Sequence, residues 1–287
     1  MSDWENYIRV VAQRYKAQIS AYELWNEPFF SELHPRIDLT YFYTGSVTKM
    51  IEMASIARRV LDEIDPTAIL TSPGFTGSTN SLELFLKSGG KQYIQVISTH
   101  FYTSDSTSLV RSISDVKNVM LSQNVQNLPL WNSEWGYLPS FKLSPQDAAF
   151  KMSQSLIYGV FSGVQRNYFY AWDNKYMPGM VSNTEENTPL LSAYQKTQKW
   201  LQDATIFSCQ NYPKDAMGCK GQQHGQDFII VWSDLKDTLA TILLPIEQKV
   251  LSIEKLSDMK PIATTTNLNP LTISIGLEPK KILLANN

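Results

Sequence analysis

The stretch Tyr22-Glu23-Leu24-Trp25-Asn26-Glu27-Pro28 decides how this chain is read. It completes an apolar, aromatic-rich run over residues 19–25 with strand character, and Asn26, Glu27 and Pro28 halt that run in a loop. Glu27 therefore sits at a strand end. A second carboxylate has the same setting, because Leu130-Trp131-Asn132-Ser133-Glu134-Trp135-Gly136-Tyr137 passes from a strand over 128–134 into a loop. Working outward, Trp4, Tyr7, Ile8, Val11, Ala12 and Tyr15 form a stripe that predicts a helix over 2–18, with Ser2 and Glu5 spaced as a capping box. Val47, Met50, Ile51, Ala54, Ala57, Leu61 and Ile64 predict a second helix over 46–64, stopped by Asp65 and Pro66.

The alternation then continues. Strands are predicted over 68–72, 96–102 and 167–172, and helices over 82–87, 109–122, 144–161 and 189–201. Ser144 with Pro145 marks one helix start, since Ser caps and Pro suits the first turn. Apolar strands joined by helices mean a parallel sheet covered by helices. In a parallel barrel the C-terminal strand ends make one face, so Glu27 and Glu134 can meet there. A pair of carboxylates is what glycosidic cleavage requires: one to protonate the leaving oxygen and one on the other side of the sugar.

After residue 204 the pattern changes to short strands over 206–208, 228–233, 239–244, 251–256, 271–275 and 281–284, with no helical stripe. The expected organisation is a catalytic α/β domain over 1–203 and a small all-β, sandwich-like domain over 204–287. Cys209 and Cys219 lie near the start of the second, and a disulfide or two thiols are both open.

Composition narrows the function. With 25 Lys+Arg against 27 Asp+Glu there is no basic surplus to neutralise phosphates, so nucleic acid is not an expected partner. No apolar run has the length of a membrane span, and Met1-Ser2-Asp3 is no signal peptide, so a cytoplasmic location is the default unless the N-terminus is truncated. Three His and two Cys, without a Gly-rich phosphate loop, point to no metal and no cofactor. Seven Trp and fourteen Tyr suit a protein that stacks on flat ligands, although large proteins also bury aromatics.

Trp25-Asn26-Glu27-Pro28 and Ser133-Glu134-Trp135 together resemble the two signatures of the clan-A retaining glycoside hydrolases, in their family 39-like or family 5-like branches. That superfamily includes cellulases, β-xylosidases and β-galactosidases on a (β/α)8 TIM barrel. The resemblance implies that Glu27 ends barrel strand four as the acid/base and that Glu134 ends strand seven as the nucleophile. Thr99-His100-Phe101-Tyr102 is similar to the His-x-Tyr of strand six, whose Tyr touches the nucleophile, and alternation puts His100 and Tyr102 on one face. Phe169-Tyr170-Ala171-Trp172 resembles strand eight, with Trp172 flooring the subsite beside the cleavage point. Asn26 would grip the sugar 2-hydroxyl, and for Asn26 and Glu27 both to face the site the chain needs a bulge or turn there. Trp25, Trp135 and Tyr137 are candidates for stacking on sugars, each equally at home in packing. Asp173 fits a sugar-binding acid or a helix cap.

Counting strands from that register, the chain starts at helix three, so the resemblance implies a partial barrel of strands four to eight. The family's strand-two Arg, which supports the nucleophile, is absent with the missing segment. An open sheet would expose two edges. Self-association of a partial barrel, a fragment of a longer protein and a degenerate relative all account for this. A homodimer or larger assembly covering the edges is the expected partner state. The expected function is a retaining β-glycosidase acting on an oligo- or polysaccharide. The alternative is a non-catalytic carbohydrate-binding or scaffold protein.

Overall fold

A computed structural model describes the chain except residues 34–41, 44, 183, 185, 214, 236–239, 245–247, 259–261, 267–270 and 286–287. In chain order the first part forms α1 (Ser2–Arg14), β1 (Ala21–Glu23), α2 (Val47–Ile64), β2 (Ile69–Thr71), β3 (Phe75–Thr76), α3 (Asn80–Lys87) and β4 (Ile97–His100). It continues with α4 (Ser106–Ser122), β5 (Leu130–Trp135), α5 (Pro145–Phe161), β6 (Val164–Phe169) and α6 (Pro189–Leu201). Two of the caps do what their chemistry predicts: Ser46 Oγ accepts from Lys49 N, and Ser144 Oγ accepts from Asp147 N. Ser2 does not. Helix α1 starts at Ser2 itself without a side-chain cap, because Glu5 is engaged by Arg9 and Arg59 instead of reaching back to the first turn.

The chain divides into two compact units, one of residues 1–102, 111–135 and 164–168, the other of 103–110, 136–163 and 169–287. In the first unit β1 pairs in parallel with β2, and β3, β4, β5 and β6 follow in that order in a four-stranded sheet. Parallel bridges Asn26–Gly74 and Thr71–Val96 tie the two sheets together, so β2 and β3 occupy one strand position interrupted at 72–74. Met50 and Leu61 of α2, Leu82 and Phe85 of α3, Leu70 of β2 and Ile97 of β4 are all fully buried. α1 lies on α2, fixed by the Trp4 indole N–H donating to the Met53 carbonyl at 3.0 Å and by the Glu5–Arg59 ion pair. The last strand begins earlier than its apolar residues indicate. β6 starts at Val164, and its exposed Gln165 and Arg166 are the polar residues of a sheet edge, so Trp172 falls beyond the strand.

In the second unit every element after α6 among the described residues is a strand: β7 (Ala204–Tyr212), β8 (Ala216–Gln223), β9 (Gln226–Ser233), β10 (Ala240–Leu244), β11 (Val250–Lys255), β12 (Ile262–Thr266), β13 (Leu271–Ile275) and β14 (Lys280–Leu284). Leu239, the expected first residue of one strand, lies outside the described residues. Six strands form an antiparallel sheet in the order β12-β11-β14-β9-β8-β7, and β10 pairs with β13. Ile229, Val231, Val250 and Ile282 from the larger sheet share one buried cluster with Leu271, Ile273 and Ile275 of the smaller. That is sandwich packing. Cys209 and Cys219 face each other in the β7–β8 register and are joined as a disulfide. The helices α5 and α6 belong to this unit: Ser153 and Thr197 share a 2.6 Å hydrogen bond between them, and Gln154 donates to the Leu277 carbonyl at 2.7 Å. The change from helices to strands thus falls at residue 204, while the compact unit reaches back to include both helices.

Candidate active site

The site assembles at the C-terminal ends of β1, β4 and β5, all in the first unit. Past β1 the chain leaves the ladder and rejoins it by backbone bonds from Gly74 N to Trp25 O and from Glu27 N to Gly74 O. Glu27 then takes the left-handed region, with φ at 41°. The turn expected at Asn26 and Glu27 is therefore present, and a non-glycine residue in that region is uncommon. At the end of β4 the register with β5 slips between Thr99 and His100, which brings His100 opposite Glu134. Buried Asn132 secures these strand ends. Its Oδ1 accepts from Phe101 N at 3.1 Å, and its Nδ2 donates to Asn167 Oδ1 at 3.2 Å.

Glu27, His100 and Glu134 converge, with one ligand atom from each lying within 4.8 Å of the others. His100 Nδ1 is 2.8 Å from Glu27 Oε1, and the Tyr102 hydroxyl donates to Glu134 Oε1 at 2.5 Å. The histidine ring is enclosed. Burial alone would lower its pKa, but the carboxylates of Glu23 and Glu27, with Glu134 behind them, outweigh that and hold it up to about 9. His100 is thus an imidazolium at neutral pH. Glu27, His100 and Glu134 also have the donor types and spacing that could hold a metal ion.

Glu27, Glu134, His100 and Tyr102 are therefore brought together. Asn26 is exposed next to Glu27. Trp25 turns away from the cluster, with its ring 6.0 Å from Trp4 and 5.8 Å from Tyr43 and its indole N–H donating to the Phe42 carbonyl. Trp135 and Tyr137 are 3% and 1% exposed, so neither presents a ring to solvent. They are packing residues here, and burial raises the Tyr137 phenol well above its ordinary range.

Trp172 belongs to the second unit. It is 62% exposed and lines a groove of about 800 Å³ with Tyr170, Tyr176, Asp173, Asn174 and Asn187. Asn174 Oδ1 accepts from Tyr176 N and Met177 N, which fixes that loop. Asp173 caps no helix and lies in the groove wall. Sequence reasoning missed Tyr176, which is 76% exposed, and Glu23. For Tyr176 the available signal was an aromatic residue in a polar loop, Asn174-Lys175-Tyr176. For Glu23 it was a carboxylate inside an apolar strand.

A parallel sheet covered by helices and a separate antiparallel sheet are also found in solved structures of glycoside hydrolases. Among solved structures the chain is similar to a family 39 glycoside hydrolase from the gut symbiont Bacteroides cellulosilyticus WH2, with TM-score 0.76 and 13% identity over 98% of this chain. It is also similar to a glucosidase from Croceicoccus marinus (TM-score 0.70, 12% identity, 100% of this chain). A family 39 β-xylosidase from Caulobacter crescentus matches with TM-score 0.64 and 14% identity over 99% of this chain. The chain spans 61% of the first of these proteins, 74% of the second and 72% of the third. At these identities the likeness is one of fold. No protein-family model matches the chain, and no curated protein matches it.

Proposed function

We propose that the chain is a retaining β-glycosidase with Glu134 as nucleophile and Glu27 as acid/base. The observation that carries this is the approach of the two carboxylates, one oxygen of each lying within 4.8 Å of the other. Retaining enzymes hold the pair roughly 5 to 5.5 Å apart, whereas inverting enzymes need roughly 6.5 to 9.5 Å to admit water. In the first step a Glu134 oxygen bonds to the anomeric carbon as the glycosidic C–O bond breaks, and the Glu27 proton passes to the departing oxygen. In the second, Glu27 takes a proton from water, whose oxygen attacks the same carbon and releases Glu134. The Tyr102 hydroxyl on Glu134 Oε1 orients the nucleophile. Asn26 is assigned to sugar binding by its place beside Glu27; separately, within the second unit, Trp172 and Tyr176 are assigned to sugar binding by their exposure in a groove with polar walls.

In this reading the parallel strands correspond to barrel strands four to eight. The edges of β1 and β6, which carry no further strand among the described residues, are assigned to contact with a second copy of the chain. Light scattering on purified protein should find a dimer or larger species, and a stable monomer would remove this part of the proposal. The catalytic reading is tested with aryl β-glycosides and polysaccharides, following the anomer released and trapping the intermediate with a 2-fluoro sugar. A β-anomer product with label on Glu134 is expected. Sugar binding without hydrolysis, unchanged in Glu134→Gln, would instead support the carbohydrate-binding alternative.

A further inference from the structure

We propose that Glu23 is a positioning residue of this site, clamping His100 from the side opposite Glu27 so that Glu27 is held for proton transfer. The role in transfer rests on Glu27 being the acid/base. His100 is gripped from both ring nitrogens. Nδ1 faces Glu27 Oε1 at 2.8 Å, and Nε2 lies 3.8 Å from Glu23 Oε1, an ion-pair distance rather than a hydrogen bond. The histidine side chain is only 1% exposed, so its ring N–H groups must be answered inside the protein.

Glu23 is itself held. Ser98 Oγ donates to Glu23 Oε2 and lies 2.6 Å from Ser133 Oγ, the residue before Glu134. One polar chain therefore runs from Ser133 on β5 through Ser98 on β4 to Glu23 on β1, then to His100 and Glu27. Gly74 closes the other wall of this clamp. A methyl group there would overlap both His100 Nε2 and Glu23 Oε1, and the same glycine backbone receives the Glu27 loop.

The charged groups facing His100 are Glu23 at the end of β1, Glu27 beyond it and Glu134 on β5, all of one sign. A neutral imidazole carries a single N–H and would leave one of the two flanking carboxylates unserved. With Glu23 in place the ring keeps both protons. The N–H at Nδ1 then occupies Glu27 Oε1, which leaves Oε2 as the oxygen that carries and delivers the proton. Glu23 touches neither the nucleophile nor the bond that breaks. Its effect passes through His100.

The test is Glu23→Gln in the intact chain, which keeps the shape and removes the charge. The titration of His100 is followed by NMR, its signals being told apart from those of the other two histidines by their loss in His100→Asn. In the wild type the flanking carboxylates should hold the His100 pKa up to about 9. In Glu23→Gln its proton affinity should fall at least about tenfold. On an aryl glycoside kcat should fall roughly 10- to 100-fold with KM nearly unchanged, and the alkaline limb of the pH profile should move to lower pH. An unchanged His100 titration overturns the clamp. A shifted titration in a protein that cuts no glycoside supports the clamp and overturns the glycosidase reading, so the two failures are told apart. If Glu23→Gln does not fold, Ser98→Ala releases one Glu23 oxygen and should move the His100 titration the same way by a few-fold. No movement there also overturns the proposal.

Discussion

His100 in the parallel sheet and Lys281 in the sandwich are both cations at the bottom of well-packed surroundings, 4% and 3% exposed, yet burial has opposite results for them. His100 has carboxylates on both sides and is held charged up to about 9. Lys281 lies 4.4 Å over the Phe228 ring and donates to the Trp200 carbonyl and to Gln223 Oε1. Burial lowers its pKa to about 8, with Glu254 only partly offsetting the loss of water. Desolvation acts on both. What differs is how much formal negative charge comes with it: the sheet ends supply several carboxylates, while the sandwich supplies one partly offsetting glutamate, dipoles and an aromatic face. In the proposed reading the first region uses part of its interior for chemistry and the second for cohesion.

The strongest test of that division is at the carboxylates. Glu134→Gln should lower kcat at least about 10³-fold, and Glu27→Gln should lower it by roughly 10² to 10⁴ on a substrate with a poor leaving group, less on an activated aryl glycoside. Both variants should melt near the wild type, as seen by circular dichroism. Full activity of Glu27→Gln on the poor substrate would deny that residue the acid role.

A smaller effect is expected from the exposed rings. Trp172→Ala and Tyr176→Ala should each weaken oligosaccharide binding by several-fold, about 1 kcal/mol, by calorimetry. Affinity unchanged in both would mean that the groove does not take sugar.

The two buried cations also predict opposite slopes of stability against pH. The folded state binds the His100 proton more tightly than the unfolded chain, whose His titrates near 6.5, so that contribution is complete below about 6.5 and is lost as pH rises through 9. For Lys281 the unfolded chain, titrating near 10.4, binds the proton more tightly, so stability is gained as pH rises from about 8 towards 10.4. Thermal midpoints measured over that range should lose the downward component in His100→Asn and the upward one in Lys281→Met. Lys281→Met should leave kcat unchanged. Identical slopes in all three proteins would refute the contrast.

Much of the fold was legible because local signals agreed with tertiary demands. The stripe over 46–64 and the Ser144-Pro145 start became α2 and α5, and the expected helix over 189–201 matches α6. Strand β8 was not legible, since Gly218, Lys220, Gly221, Gln222 and Gln223 lack strand propensity and are ordered by pairing on both sides with β7 and β9. At the site, Glu27 and Glu134 stood out because a carboxylate at a strand end beside Trp and Asn is conspicuous. Glu23 did not, because its partner His100 arrives from a distant strand and only the assembled sheet brings them together. Trp135 and Tyr137 carried the composition of a sugar platform, and burial decided against that use.

The positive φ of Glu27 places the proposed proton donor at a position where the fold itself would prefer a smaller residue. A left-handed conformation costs a side-chain-bearing residue roughly 1 kcal/mol or more, a cost that glycine escapes. Glu27→Gly should therefore give a protein that melts above Glu27→Gln while being equally inactive, if the lost bond to His100 does not consume the gain. Selection for stability alone would drift towards glycine here. A glutamate here is kept against the local backbone preference, a cost that Lys142, Asp203, Asp215 and His224 of the second unit also carry.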